Sequence, residues 1–213
     1  MKKQKVLRVL NESEKSKLFD IENKHHVAIM VLLYNTGLRI GELTGEKHSY
    51  KIGSGEIRKT ERPPILLKDV FNFSKDKITS IKNQVTIVGK GNKQRTIPLN
   101  DQSKEAIKTL LEHNLKTVKV KIAPETPLLV SKKKTAMTRT QVSRIIKKIR
   151  EDLNIDLHLT PHVFRHQFCT EIYKKTGNIK VVQTLAGHSS VKTTLDIYSH
   201  VTTEDLKNAV DTL

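Results

Sequence analysis

Apolar and polar residues alternate along this chain with two different periods, and the period changes near its middle. VAIMVLLY, Val27 to Tyr34, lies inside HHVAIMVLLYNTG, which predicts a buried helix with its stop signal at Asn35 to Gly37. Ahead of it, LNESEKSKLF offers Asn11 or Ser13 as an N-cap, with Glu14 three residues after Asn11 in capping-box spacing. LRIGEL opens a short further helix or turn. In DQSKEAIKTLLEHN, Ile107, Leu110 and Leu111 recur at helical spacing. TRTQVSRIIKKIREDL is amphipathic: Val142, Ile145, Ile146 and Ile149 form an inner face, and Arg144, Lys147, Lys148 and Arg150 an outer one. TPHVFRHQFCTEIYKKTG reads as a helix opened by Thr160 and Pro161 and closed by Gly177. NIKVVQTLAGH is a helix ending near Gly187, SVKTTLDIYSHV a short segment, and TEDLKNAVDTL a final helix.

The middle of the chain carries the shorter period. QVTIV and RTIPL gather β-branched residues on either side of GKGNKQ, which predicts a β-hairpin with a glycine-rich basic turn. The stretch from Thr44 to Pro64 is polar and punctuated by Gly and Pro, and reads as a long loop. The fold class expected is α+β, mostly α-helical, with a small antiparallel hairpin at one edge. No linker divides the chain, so one domain over residues 1–213 is expected.

Composition changes this picture in one respect. An apolar fraction of 36% suffices for a core, but Lys plus Arg is 39 against 22 Asp plus Glu, a net charge of +17. Such an excess draws a polyanion and makes nucleic acid the expected partner. A membrane is not expected, because the longest apolar run is far shorter than a span and neither an anchoring helix nor a lipidation signal is visible. The start, MKKQKVLRVLNESEK, has no apolar core segment of a signal peptide. The single Cys169 excludes an internal disulfide and a cysteine-based zinc cluster, which fits a reducing cytoplasm. The nine histidines show no metal-ligand spacing, so no metal and no cofactor are expected.

Four fragments carry chemistry. His162 and Arg165, three apart, share one face of an otherwise apolar helix. A buried guanidinium needs a partner: either it is satisfied inside the core, or it waits for an anion whose two oxygens it can fork. Arg39 and Glu42 in NTGLRIGEL repeat the spacing, with the carboxylate placed to hold the guanidinium. VGKGNKQRTIPL presents Lys90 and Lys93 at a hairpin tip but lacks the spacing of a phosphate-binding P-loop. AGHSSVKTTLDIYSHV sets His188 ten residues before Tyr198. Taken singly, each fragment also fits a core pair, a solvated turn or a packed aromatic.

In this order and spacing, TGLRIGEL, GKGNKQRTIPL, TPHVFRHQFCT and LAGHSSVKTTLDIYSHV resemble the tyrosine recombinase family of phage and transposon integrases, from about Leu10 to Val201. The resemblance implies an integrase-type catalytic domain that cuts and rejoins DNA through a 3′-phosphotyrosyl link, integrating or excising a mobile element. It implies that Arg39, His162, Arg165 and His188 bind the scissile phosphate, that Tyr198 is the nucleophile, and that Glu42 supports Arg39. Lys90 matches the family's hairpin lysine, with Lys93 as second choice. Because the covalent link conserves the phosphodiester energy, neither ATP nor a metal is required. Lys93, Arg95, Arg139, Gln141 and Arg144 are candidates for contacting double-stranded DNA. The full-length relatives imply a homo-tetramer on DNA in a bacterial cytoplasm, at the nucleoid; this chain alone is expected to be monomeric. Against the family pattern, an inserted loop is expected over residues 45–65, and the family's amino-terminal core-binding domain is expected to lie outside this chain. Other readings are a degenerate relative that binds DNA without cutting it, and a type IB topoisomerase-like nicking-closing enzyme.

Overall fold

A computed structural model describes residues 8–51, 57–89 and 94–187, with the side chains of 48–51 and 57–60 excepted. Helix α1 (Glu12–Phe19) starts from the reciprocal capping box of Asn11 and Glu14. Helix α2 (Lys24–Thr36) has too few polar positions to face solvent along its length, so it becomes the hub of the core; Ile29, Met30 and Leu33 are fully buried. It ends where Gly37 turns left-handed at φ 58°. After the single-turn α3 (Ile40–Thr44) come β1 (Glu46–Lys51), β2 (Ile57–Arg62), the short α4 (Leu67–Val70), β3 (Phe71–Ser74), β4 (Lys77–Ile81), β5 (Gln84–Val88) and β6 (Gln94–Pro98). Helices then return: α5 (Asp101–His113), a π-turn over Asn114–Val118, α6 (Arg139–Asp152), α7 (Pro161–Thr176) and α8 (Ile179–Ala186).

Helix α2 packs on α5 and on α7, and α7 in turn on α8. Ile107 and Leu110 of α5 and Phe164 of α7 are buried against α2's apolar surface in one cluster. Each such side chain contributes about 1.5–3 kcal/mol of transfer free energy. Helix α6 adds Val142, Ile146 and Ile149, the inner face read from its sequence. The predicted hairpin forms as β5 and β6 in antiparallel register, Val85 opposite Ile97, and Val85, Ile87 and Ile97 point into the core.

Two further hairpins were not expected. The stretch read as a loop over 45–65 holds β1 and β2, paired antiparallel with Glu46 opposite Arg62 and Lys47 opposite Glu61. It lacks apolar alternation, and the two cross-strand pairs at its base are ionic instead: Lys47 meets Glu61 at 2.9 Å and Arg62 meets Glu46 at 3.3 Å. Strands β3 and β4 turn through Lys75 and Asp76, both at positive φ. Two such residues make a primed hairpin turn, here without the glycine that advertises one.

Candidate active site

The segment between α2 and α3 places Arg39. Gly37 reverses the chain; an alanine Cβ there would lie 2.3 Å from the Phe168 ring, so the bend and its contact with α7 need glycine. Arg39 then caps α3 in reverse: Glu42, three on, accepts from the Arg39 backbone N–H at 2.8 Å and from its Nη1 at 2.9 Å. The remaining Nη2 of Arg39 donates to the Gly187 carbonyl at 3.2 Å.

Thr160 caps α7 and Pro161 occupies its first turn, which brings His162 to the helix mouth and Arg165 one turn deeper. Arg165 is only 6% exposed, yet no carboxylate bonds it among the described residues. Its two terminal nitrogens donate to the carbonyls of Gly37 and Ala186, the ends of α2 and α8. These acceptors carry partial negative charge and leave its full positive charge unneutralised. Burial, then the charge of Arg39, pulls the Arg165 pKa down to about 10, so the group stays cationic at neutral pH.

Both guanidiniums open on one cleft of about 80 Å³, lined by Arg39, Ile40, Gly41, Glu46, Arg139, Pro161, His162 and Arg165. Partial burial lowers the His162 pKa, and the charges of Arg139, Arg165 and Arg39 lower it further. Its ring is therefore neutral at pH 7 and has a free lone pair for a proton. Glu42 is the counter-charge behind the cleft. Its burial would raise its pKa, but hydrogen bonds and charge from Arg95, then Arg39, hold it down at about 2. The cleft thus presents fixed cations around a space suited to a tetrahedral anion.

The sequence-predicted residues divide into three groups. Arg39, Glu42, His162 and Arg165 come together here, although 120 or more positions separate the first pair from the second. Arg139, at the start of α6, also lines the cleft, while Arg144 is exposed further along the same helix. Gln141 accepts from the Thr138 N–H in a capping box, so its side chain also starts α6. Arg95 lies inside, its side chain 8% exposed, with two bonds to Glu42 at 2.7 and 2.8 Å and one to the Leu185 carbonyl. Its guanidinium braces the site, which differs from the DNA-facing role expected of it. Lys90, Lys93, His188 and Tyr198 lie outside the described residues.

Sequence reasoning missed Glu46 and Arg62, which reach the site from the unexpected hairpin. The signal was present in the acid–base complementarity of Glu46–Lys47 and Glu61–Arg62 on either side of GSG. Among the described residues, no three His, Cys, Asp or Glu are grouped to hold a metal ion, and no helix is long and apolar enough to cross a membrane.

A mostly helical domain whose two distant arginines share a phosphate-sized cleft has the layout of an integrase catalytic domain. Residues 67–205 match the phage integrase family model, and the chain belongs to the phage integrase family. It is 30% identical over 199 residues to the tyrosine recombinase XerC of Psychromonas ingrahamii, covering 91% of this chain and 56% of the relative. It is 28% identical over 199 residues to XerD of Halalkalibacterium halodurans, covering 93% and 56%. The chain therefore spans about half the length of the curated relatives it matches. In fold it is similar to the XerA recombinase crystal structure, with a TM-score of 0.68 at 22% identity, covering 96% of this chain and 64% of that one. The XerH recombinase bound to palindromic difH substrate, a post-cleavage complex, gives a TM-score of 0.64 at 22% identity, covering 95% and 51%.

Proposed function

We propose that this chain is the catalytic domain of a site-specific DNA recombinase, which cleaves and rejoins DNA through a tyrosine–phosphate intermediate. The observation that carries the reading is the convergence of Arg39 and Arg165 on one cleft, each fixed by the protein and neither spent on a cleft-side carboxylate. A scissile phosphate is the partner this geometry lacks. Two neighbours support DNA as that partner: XerH on difH DNA and the Tn1549 transposon integrase in complex with circular intermediate DNA.

In the proposed reaction, the Tyr198 oxygen attacks phosphorus, a P–O(Tyr) bond forms, and the bond to the 5′-oxygen breaks. The phenol has a pKa near ~10, so it needs help to ionise. The neutral His162 ring is suited to take its proton. The pentavalent transition state gathers negative charge on its equatorial oxygens, where Arg39, Arg165 and His188 donate. Losing one such donor costs about 3–4 kcal/mol in comparable oxyanion sites. Lys90 gives a proton to the leaving 5′-oxygen, and Lys93 is the second choice. Rejoining is the reverse attack by a 5′-hydroxyl. Arg139, Gln141 and Arg144 lie on or beside the face that would meet the duplex. In the whole protein, a homo-tetramer on two duplexes in the cytoplasm is the assembly we propose, with this domain as one of its parts.

A suicide substrate, nicked beside the target bond, tests the reading. Wild-type chain is expected to become covalently attached to DNA and to shift on a denaturing gel. Tyr198→Phe is expected to bind without attaching. Attachment by the Phe variant ends the nucleophile assignment; binding without attachment by wild type favours a degenerate DNA-binding relative.

A further inference from the structure

A second carboxylate lies between two arginines at the border of the cleft. Glu42 hydrogen-bonds both Arg39 and Arg95; Glu46 hydrogen-bonds Arg62 and lies within ion-pair distance of Arg139, beyond hydrogen-bond reach. Glu46 opens β1, and its Oε2 lies 3.3 Å from Nη1 of Arg62, its cross-strand partner on β2. Its Oε1 lies 3.9 Å from Nη1 of Arg139, the first residue of α6. The Glu46 and Arg62 side chains are only 22% and 24% exposed, whereas Arg139 is 56% exposed and faces the cleft. Gly41 makes room for this: an added Cβ would lie 2.1 Å from the Glu46 carboxyl carbon and oxygen. The carboxylate can lie across α3 only because that position is glycine.

Two roles are available to a carboxylate beside a phosphate cleft. It can repel the phosphate, or it can hold a cation in place for it. Arg62 decides between them, because its charge offsets that of Glu46 and leaves mainly a nearby acceptor that Arg139 can reach. A free arginine loses rotamer freedom when it is fixed. An acceptor that limits its rotamers beforehand lowers that loss on binding. We infer that Glu46 is a positioning residue for Arg139 and makes Arg139 a further phosphate-binding cation of the site. The β1–β2 hairpin thereby contributes to the cleft through its first residue. This inference rests on the phosphate reading given above.

Binding of a short random-sequence DNA duplex, followed by fluorescence anisotropy at several salt concentrations, tests it. Arg139→Gln is expected to weaken binding about three- to tenfold and to lower the salt slope by roughly one. Glu46→Gln adds a net positive charge, so simple Coulomb attraction predicts tighter binding; positioning predicts binding weaker by about threefold or more. In the Arg139→Gln background the same change is expected to give no further loss. Glu61→Gln breaks the exposed Lys47–Glu61 pair of the same hairpin and is expected to change nothing. The Arg139 Nε–H NMR resonance should merge with those of mobile arginines in Glu46→Gln but not in Glu61→Gln. Tighter binding by Glu46→Gln, or an equal loss with and without Arg139, overturns the inference while the cleft reading stands. If Arg39→Gln, Arg165→Gln and Arg139→Gln all leave affinity and salt slope unchanged, the cleft reading fails and the inference with it.

Discussion

Glu42 is bound more closely to Arg95 than to Arg39. Arg95 reaches it with both terminal nitrogens, at 2.7 and 2.8 Å, and Arg39 with one, at 2.9 Å. The Glu42 side chain is fully buried and that of Arg95 nearly so, while Arg39 is 37% exposed. The carboxylate is thus neutralised mainly from inside, by strand β6. Arg39 is located by Glu42 without being cancelled by it, and its charge remains available at the cleft.

Removing Arg95 should therefore unfold more than it disarms. Arg95→Gln leaves a buried carboxylate with one half-exposed partner, a change that costs about 3–5 kcal/mol when a buried pair is broken from one side. Urea denaturation measures it. The double variant Arg95→Gln, Glu42→Gln should be less destabilised than the sum of its singles, because it leaves no unpaired charge. A loss under about 1 kcal/mol for Arg95→Gln would show that solvent reaches Glu42 and that this bracing is weak.

Acid should destabilise the domain in two windows. The His25 ring stacks on His113 at 3.8 Å, and its buried Nε2 has no hydrogen-bond partner among the described residues. Burial, then the neighbouring His113 and His26, lowers its pKa to about 3 from 6.5. The unfolded chain takes up a proton that the folded one refuses, so this contribution is complete above pH 6.5 and is lost as pH falls towards 3. Glu42, lowered from 4.5 to about 2, contributes stability above pH 4.5 that is lost between there and pH 2. Each group gives a slope of up to about 1.4 kcal/mol per pH unit inside its window. His25→Phe should flatten the upper window alone, and Glu42→Gln the lower one. A stability profile unchanged by His25→Phe between pH 6.5 and 4.5 rejects the first assignment.

Gly37→Ala tests the bend that joins the two arginines. Residue 37 sits at φ 58°, its carbonyl accepts a hydrogen bond from Arg165, and an added methyl meets the Phe168 ring. Backbone strain in the left-handed region costs about 1–3 kcal/mol, and the clash adds to it. Gly177→Ala has a similar φ but open space around it, so it isolates the strain alone. Thermal unfolding of the two should place Gly37→Ala clearly below Gly177→Ala. Equal melting points would mean that Phe168 yields freely and that the contact does not fix the bend.

The helices were legible because their signals are local. Asn11 with Glu14, Thr160 with Pro161, and the glycines at 37 and 177 each define an end within a few residues. The site was legible to the extent that motif spacing encodes it, as for Arg39, Glu42, His162 and Arg165. Arg95 was misjudged because a basic residue beside a basic turn looks solvent-facing; only the docking of β6 near α8 buries it against Glu42. Strands β1 and β2 escaped notice for a related reason. At their base, opposite charges meet at matched register, a long-range property that hydrophobic periodicity does not report.

Arg165 offers the sharpest distinction between charge and geometry. Its two nitrogens reach carbonyls at the ends of two different helices, at Gly37 and Ala186, and so hold the guanidinium plane across the floor of the cleft. Lysine keeps the charge but not the plane, and a single ammonium on a flexible stem loses the fork. Arg165→Lys should therefore bind duplex DNA with near wild-type salt dependence, since phosphate attraction counts charges. Its covalent attachment to a nicked suicide substrate should be slower by about a hundred- to a thousandfold, the usual consequence of losing one fixed donor to a developing oxyanion. Lost binding with an unchanged rate of attachment once bound would make Arg165 a docking residue. Unchanged binding and unchanged attachment together would remove it from the chemistry.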